Sequence, residues 1–185
     1  MRAMLDTSVL FPRVLRDVLL DAALAGLYEP LWSDDILTEL GRNLVEERGL
    51  STSEATALTR AMGRFFPRAS ITEYEDLIPR MTNHPKDRHV LAAAIHGHAN
   101  TLVTSNVKDF PSWSLVHYDL SAQTPEVFLC HFFDVARVAV IRVIVDLARQ
   151  YRRPPMSVGD LLARLENHVP VFAARCTAHL VEDES

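Results

Sequence analysis

The sequence predicts an α/β domain with a mostly parallel sheet and helices on both of its faces. Three observations carry this prediction. Short apolar runs such as "AML" near the start and "TLV" at 101–103 alternate with segments of helical periodicity. Strands joined through helices return by crossover, and so they run parallel. Acidic residues stand where several of the elements begin or end, the edge at which open α/β sheets bind ligands. The chain has 185 residues, 48% hydrophobic and 23% charged, which suffices for one ordinary domain or a domain with an appendage.

Element by element, "AMLDTSVLF" reads as a short strand that stops at Asp6 and turns. "RVLRDVLLDAALAGL" places Val14, Leu15, Val18, Leu19, Ala22 and Ala23 at helical spacing, with Gly26 at its end. In "DDILTELGRNLVEERGL", Ser33 or Asp34 can cap a helix that carries Ile36, Leu37, Leu40 and Leu44 on one face, and Gly49 ends it. "STSEATALTRAMGRFF" is a further helix capped by Ser51 or Ser53, with Pro67 beyond it. "ASI" is a candidate strand. "EYEDLIPRMTNHPK" is polar connection with at most one helical turn. "DRHVLAAAIHGH" is the clearest helix: Asp87 opens it, and Val90, Leu91, Ala94 and Ile95 form its apolar face. "NTLVTS" and "SLVHY" are the remaining strands. From Thr124 the pattern is helical throughout: "TPEVFLCHFFD", "VARVAVIRVIVDLARQY", "SVGDLLARLENH" and "VPVFAARCTAHL", with "RRPPMS" between the second and third. There is no internal repeat.

Composition narrows the function. The formal charge is −5, so any grip on nucleic acid must come from a local patch of Lys and Arg. Cys130 and Cys176 lie in apolar helical stretches and read as buried thiols of a reducing compartment. The N-terminus is interrupted by Asp6 too early for a signal peptide. The longest apolar run, "VAVIRVIVDLA", is broken by Arg142 and Asp146 and cannot span a membrane. A cytoplasmic protein is expected.

The acidic residues are the chemical signal. If the strands are parallel, Asp6 and Asp109 emerge on the same edge, with Asp87 at a helix start and Glu39 inside another helix. Two carboxylates about 5 Å apart repel by roughly 3 kcal/mol even at an effective dielectric near 20. A group of three or four therefore calls for a hard cation such as Mg²⁺ or Mn²⁺, which sits against phosphate and activates water. Each residue also has a plainer reading. Asp87 could be an N-cap, Glu39 a solvated residue paired with Arg42 or Asn43, and Asp109 a turn residue. Asp6 is harder to dismiss, because an acid directly after an apolar strand is disfavoured by β-propensity.

"LDTSVL", "ILTEL", "DRHVLAAAI" and "TLVTSNVKDFP", in this order, resemble the PIN-domain nucleases, and most of all the bacterial branch of VapC-type toxins of toxin–antitoxin pairs. The resemblance covers about the first 130 residues. It implies a three-layer α/β/α fold around a parallel sheet of about five strands, and metal-dependent hydrolysis of RNA phosphodiester bonds. Carried over by residue, it implies Asp6 and Asp87 as direct ligands of Mg²⁺ or Mn²⁺, with Glu39 and Asp109 completing the set directly or through water. Many relatives have Asp where this chain has Asn106. That change removes a charge, weakens the case for a second metal and leaves an amide that can meet phosphate. Ser8 stands where relatives often have Asn. With Thr7 and Thr104 it could hydrogen-bond the acids. The resemblance further implies an RNA substrate and a small antitoxin partner.

On this basis residues 1–133 form the nuclease domain and 134–185 a C-terminal helical extension, expected to pack on the same domain. Its apolar stripes could finish the fold, pair two subunits as a homodimer, or take up an antitoxin segment. Arg13, Arg16, Lys86, Arg88 and Lys108 flank the motifs and could meet phosphates or simply stay solvated. His96 and His98 do not share a helix face and make a poor metal pair. His84 and His89, near Asp87, are read as structural or surface residues. Two other readings compete. One is a PIN-fold binding module with a silent metal site, favoured by Asn106 and the negative charge. The other is a haloacid-dehalogenase-type phosphotransferase, disfavoured because Ser8 occupies the position of its second Asp.

Overall fold

The computed structural model describes residues 1–183. In chain order the elements are β1 (Arg2–Leu5), α1 (Thr7–Leu10), α2 (Arg13–Leu24), β2 (Glu29–Ser33), α3 (Asp34–Arg48), α4 (Thr52–Phe65) and β3 (Ser70–Ile71). Then follow α5 (Arg88–His96), β4 (Thr101–Val103), α6 (Ser112–Leu115), β5 (Ser121–Gln123), α7 (Pro125–Gln150), α8 (Val158–Leu165) and α9 (Pro170–Asp183). Two compact units result: residues 1–11 with 28–123, and residues 12–27 with the helices from Thr124 onward.

The first unit is the predicted α/β fold. Its five strands are all parallel and lie in the order β3-β2-β1-β4-β5. β1 is central, and Ala3, Met4 and Leu5 are fully buried, as expected of a strand covered on both faces. α3 packs on β2, and α5 packs on β1 and β2. In α5 five successive residues, Val90–Ala94, are buried, three of them alanines that allow close approach to the sheet. Gly97 ends that helix where a Cβ would come within 2.9 Å of Ile71 Cδ1 and 3.0 Å of the Ala93 carbonyl. The caps follow the local signals. Ser33 accepts from the Ile36 N–H, Ser51 and Glu54 form a capping box, and Gly49 ends α3 in the left-handed region at φ 68°.

Two local readings are corrected. Residues 114–118, "SLVHY", are not a strand: α6 continues into a 3₁₀ turn over Val116–Tyr118. Pro111 starts this helix, and its carbonyl accepts from both the N–H (2.8 Å) and the hydroxyl (2.7 Å) of Ser114. That local pairing overrides the β-propensity of Val and Tyr. The edge beside β4 is taken instead by "SAQ", with Leu102 opposite Ala122. The connection over Glu75–Arg80 is also longer than one turn, a six-residue 3₁₀ helix.

The second unit is helical. α2 buries Leu15, Val18, Leu19 and Ala22, and it packs against α7 and α8. The segments "TPEVFLCHFFD" and "VARVAVIRVIVDLARQY" join into α7, which breaks at Ala136 (φ −145°, ψ 43°). Arg16 is only 5% exposed, which overturns its reading as a solvated helix residue. Burial lowers its pKa from the usual guanidinium value, and the charge of Asp17, 3.7 Å away, opposes that shift. The Tyr151 hydroxyl donates to Asp17, and Arg13 lies over the Tyr151 ring.

Glu126 caps α9 from a distance, accepting from the N–H groups of Val171 (3.0 Å) and Phe172 (2.7 Å). A carboxylate there satisfies two unpaired donors and meets the positive end of the helix. Glu126→Ala is expected to destabilise the chain by about 1 kcal/mol in urea denaturation followed by circular dichroism, with Glu126→Gln retaining part of the loss. Among the described residues no helix is long and apolar enough to cross a membrane.

Candidate metal centre

The strand order reverses between β1 and β4, because the chain runs outward from β1 through β2 to β3 and then returns to the other side. Ligand sites form outside the carboxyl ends of the strands at such a switch point. Asp6 directly follows β1, and Thr104–Asp109 follows β4. The Asp6 N–H donates to the Val103 carbonyl at 3.1 Å, so the two strand ends are paired up to the site.

Asp6 is 7% exposed and held from one side. Its Oδ2 accepts from the hydroxyls of Ser8 (2.6 Å) and Thr104 (2.7 Å). Those oxygens accept in turn from backbone N–H groups: Ser105 to Ser8 Oγ at 3.0 Å, and Asn106 to Thr104 Oγ1 at 3.0 Å. Each hydroxyl thus links Asp6 to the backbone of the loop after β4, and the two hydroxyl oxygens also lie 3.3 Å apart. Oδ2 is fully engaged, and Oδ1 is the oxygen left for a ligand. Glu39, half-buried on α3, accepts from Thr7 Oγ1 at 2.9 Å. Because Thr7 adjoins Asp6, this bond ties α3 to the end of β1.

Asp87 occupies the N-cap position of α5, but its side chain makes no cap hydrogen bond. Its carboxyl is pushed above the usual carboxylate range, first by burial and then by the negative charges of Asp6 and Asp109, with His84 and Lys86 opposing. Three of the predicted acids therefore share one electrostatic environment. Ligand atoms of His84, Asp87 and Asp109 all lie within 4.8 Å of one another. Asp6 and Glu39 stand outside that trio. Asn106 is exposed on the loop: its N–H and carbonyl are used by Thr104 and Asp109, and its amide makes no cap bond.

Sequence reasoning placed His84 near Asp87, better than His96 and His98, but read it as a structural or surface residue. The available signal was its spacing from Asp87 across Pro85, since a proline at the first position of a 3₁₀ turn sets residues i and i+3 on one side. Beside it, Asn83 is 2% exposed, with neither atom of its amide hydrogen-bonded among the described residues. Burying an amide in that state costs roughly 1–3 kcal/mol.

Carboxylates gathered at the switch point of a five-stranded parallel sheet define an α/β fold whose donor set, hard oxygens in mutual repulsion, fits a divalent cation. The chain belongs to the PIN-domain family, whose profile matches residues 2–108. A second profile, the VapC50 C-terminal domain, matches residues 125–178. The chain is 43% identical over 102 residues to a Mycobacterium tuberculosis protein described as "Putative ribonuclease VapC50". That alignment covers 55% of this chain and 60% of the other protein's length. No solved structure matches the chain.

Proposed function

We propose that this protein is a metal-dependent endoribonuclease and the toxin of a VapBC-type toxin–antitoxin pair, working in the cytoplasm on RNA and held by a small antitoxin. The observation that carries the reading is the placement of Asp6, Asp87 and Asp109 at the carboxyl edge of the sheet. There Asp87 and Asp109 bring ligand atoms within 4.8 Å of each other, and the charges of Asp6 and Asp109 add to burial in raising the pKa of Asp87. The chemistry is assigned to residues 1–133, with 134–185 as a helical extension available for partner contact or homodimer formation.

In this reading Asp6 through Oδ1, Asp87 and Asp109 hold Mg²⁺ or Mn²⁺, and Glu39 completes the set directly or through water. Once bound, the cation supplies a water of lowered pKa and neutralises charge on the phosphate. Ser8 and Thr104 hold Asp6 in one orientation, and Thr7 does the same for Glu39. Asn106 presents an uncharged amide to the phosphate, while exposed Lys86 and Lys108 supply local positive charge that the chain lacks overall.

Incubation of the purified chain with cellular RNA, with and without Mn²⁺, tests the proposal. Cleavage should require the metal and be lost in Asp6→Asn. Cleavage without metal, or undiminished in that variant, would overturn it; no cleavage in any condition would favour the binding-module reading. Thr104→Val tests the orientation of Asp6. It removes one donor to Oδ2 and leaves the Asn106 N–H unpaired, so metal affinity should fall about tenfold or more while the chain stays folded.

A further inference from the structure

We propose that His84 is an additional ligand of this pocket, an imidazole that makes an otherwise all-oxygen site mixed and biases it toward Mn²⁺ and later first-row ions over Mg²⁺. The inference rests on the metal-site reading above and concerns which ion the site selects. Two ligands sharing one ion at roughly 2.1 Å each stand at most about 4.2 Å apart. The ligand atoms of His84, Asp87 and Asp109 already lie within 4.8 Å of one another, so side-chain adjustments of a few tenths of an ångström would close the set.

The backbone builds this arrangement. The Asp87 N–H donates to the His84 carbonyl at 2.9 Å, closing the turn over Pro85–Asp87 and placing the two side chains on one side. The His84 N–H donates to the Asp109 carbonyl at 3.2 Å, stitching the segment before α5 to the loop after β4. The same residue thus joins both acid-bearing segments by its main chain and faces both acids with its ring.

Among the described residues the ring makes no hydrogen bond elsewhere. Its side chain is 55% exposed, and Nδ1 stands 3.6 Å from Asp87 Oδ2, beyond ordinary hydrogen-bond length. A structural histidine is normally buried with its nitrogens satisfied. Imidazole suits borderline first-row cations, whereas Mg²⁺ prefers oxygen and keeps its waters, so a nitrogen in the set favours the former.

Pulsed electron paramagnetic resonance of the full-length chain loaded with Mn²⁺ reads the bond directly. Imidazole ¹⁴N modulation is expected in the native chain and in His89→Ala, and should vanish in His84→Ala. In calorimetry His84→Ala should weaken Mn²⁺ binding roughly tenfold and Mg²⁺ binding less than about twofold, narrowing the preference. His84→Asp should shift that preference toward Mg²⁺. Modulation that persists in His84→Ala, or an unchanged Mn²⁺/Mg²⁺ ratio, overturns the inference. If Asp87→Asn still abolishes Mn²⁺ binding in that case, the metal site stands and only the role of His84 falls. If the native chain binds no Mn²⁺, or Asp87→Asn binds it like the native chain, both fall together.

Discussion

Asp87→Asn is expected to cut metal-dependent RNA cleavage by orders of magnitude while raising the melting temperature of the metal-free protein. The two effects have one cause. In the metal-free fold the Asp87 carboxylate is partly desolvated and faces the negative charges of Asp6 and Asp109, so the fold disfavours its ionised form. Asparagine keeps the shape and removes the repulsion. No helix cap is lost, because the Asp87 side chain makes no hydrogen bond to the start of α5, and the contact given up with His84 Nδ1 is a loose one at 3.6 Å. A residue acting only as an N-cap would leave the melting temperature nearly unchanged as Asn, which caps as well as Asp, and lower it as Ala.

The loss of activity should be about two to three orders of magnitude, the scale for removing one charge-stabilising group from a pre-organised site. Thermal denaturation with and without Mn²⁺ separates the effects. Added Mn²⁺ should raise the melting temperature of the native chain, because a ligand that binds only the folded state stabilises it, and should leave Asp87→Asn almost unmoved. A metal-free Asp87→Asn variant that melts lower than the native chain would mean that the carboxylate is structural after all.

The largest stability loss is expected from Phe172→Ala, at about 3–5 kcal/mol. Phe172 is fully buried in α9, its ring edge-on to Phe133 of α7 at 6.5 Å, and its N–H is one of the two capped by Glu126. Truncation removes the ring from a packed helical unit and leaves a cavity that the aromatic neighbours can only partly fill. Because a domain's total stability is about 5–15 kcal/mol, a loss of this size should be visible as a shifted urea midpoint in circular dichroism at 222 nm. Phe172→Leu should recover most of it. A variant that unfolds at the native midpoint would show that α9 contributes little to the cooperative unit.

Much of the architecture was legible in the residues because its causes are local. The stops and starts of α3 and α4 depend on Ser33, Gly49, Ser51 and Glu54, each acting within five residues of itself. The period of α5 marked Val90, Leu91 and Ala94 correctly, but the structure also buries Ala92 and Ala93 and leaves Ile95 half-buried. The strand "TLV" could be read because a central parallel strand is a continuous apolar run. "SAQ" could not, since an edge strand of small polar residues has no pattern of its own and is recruited by the backbone of β4. "SLVHY" misled for the complementary reason: its β-branched and aromatic residues suggest a strand, but the Pro111 carbonyl bonds Ser114 and begins a helix.

The site divides along the same line. Which acids were candidates, and that Asp6 ended a strand, could be read from the residues alone, since those facts concern neighbouring residues. What each acid faces depends on the folded arrangement. Thr104 reaches Asp6 across 98 positions of chain, and Thr7 reaches Glu39 across 32. The raised pKa of Asp87 comes first from its burial and then from the charges of Asp6 and Asp109 on two other segments. His84 joins the acids only because its turn is stitched to the loop after β4. Helical and strand patterns are written at spacings of two to four residues. A carboxylate's charge, its hydroxyl partners and its ligand geometry depend on distance in space, which no local pattern encodes.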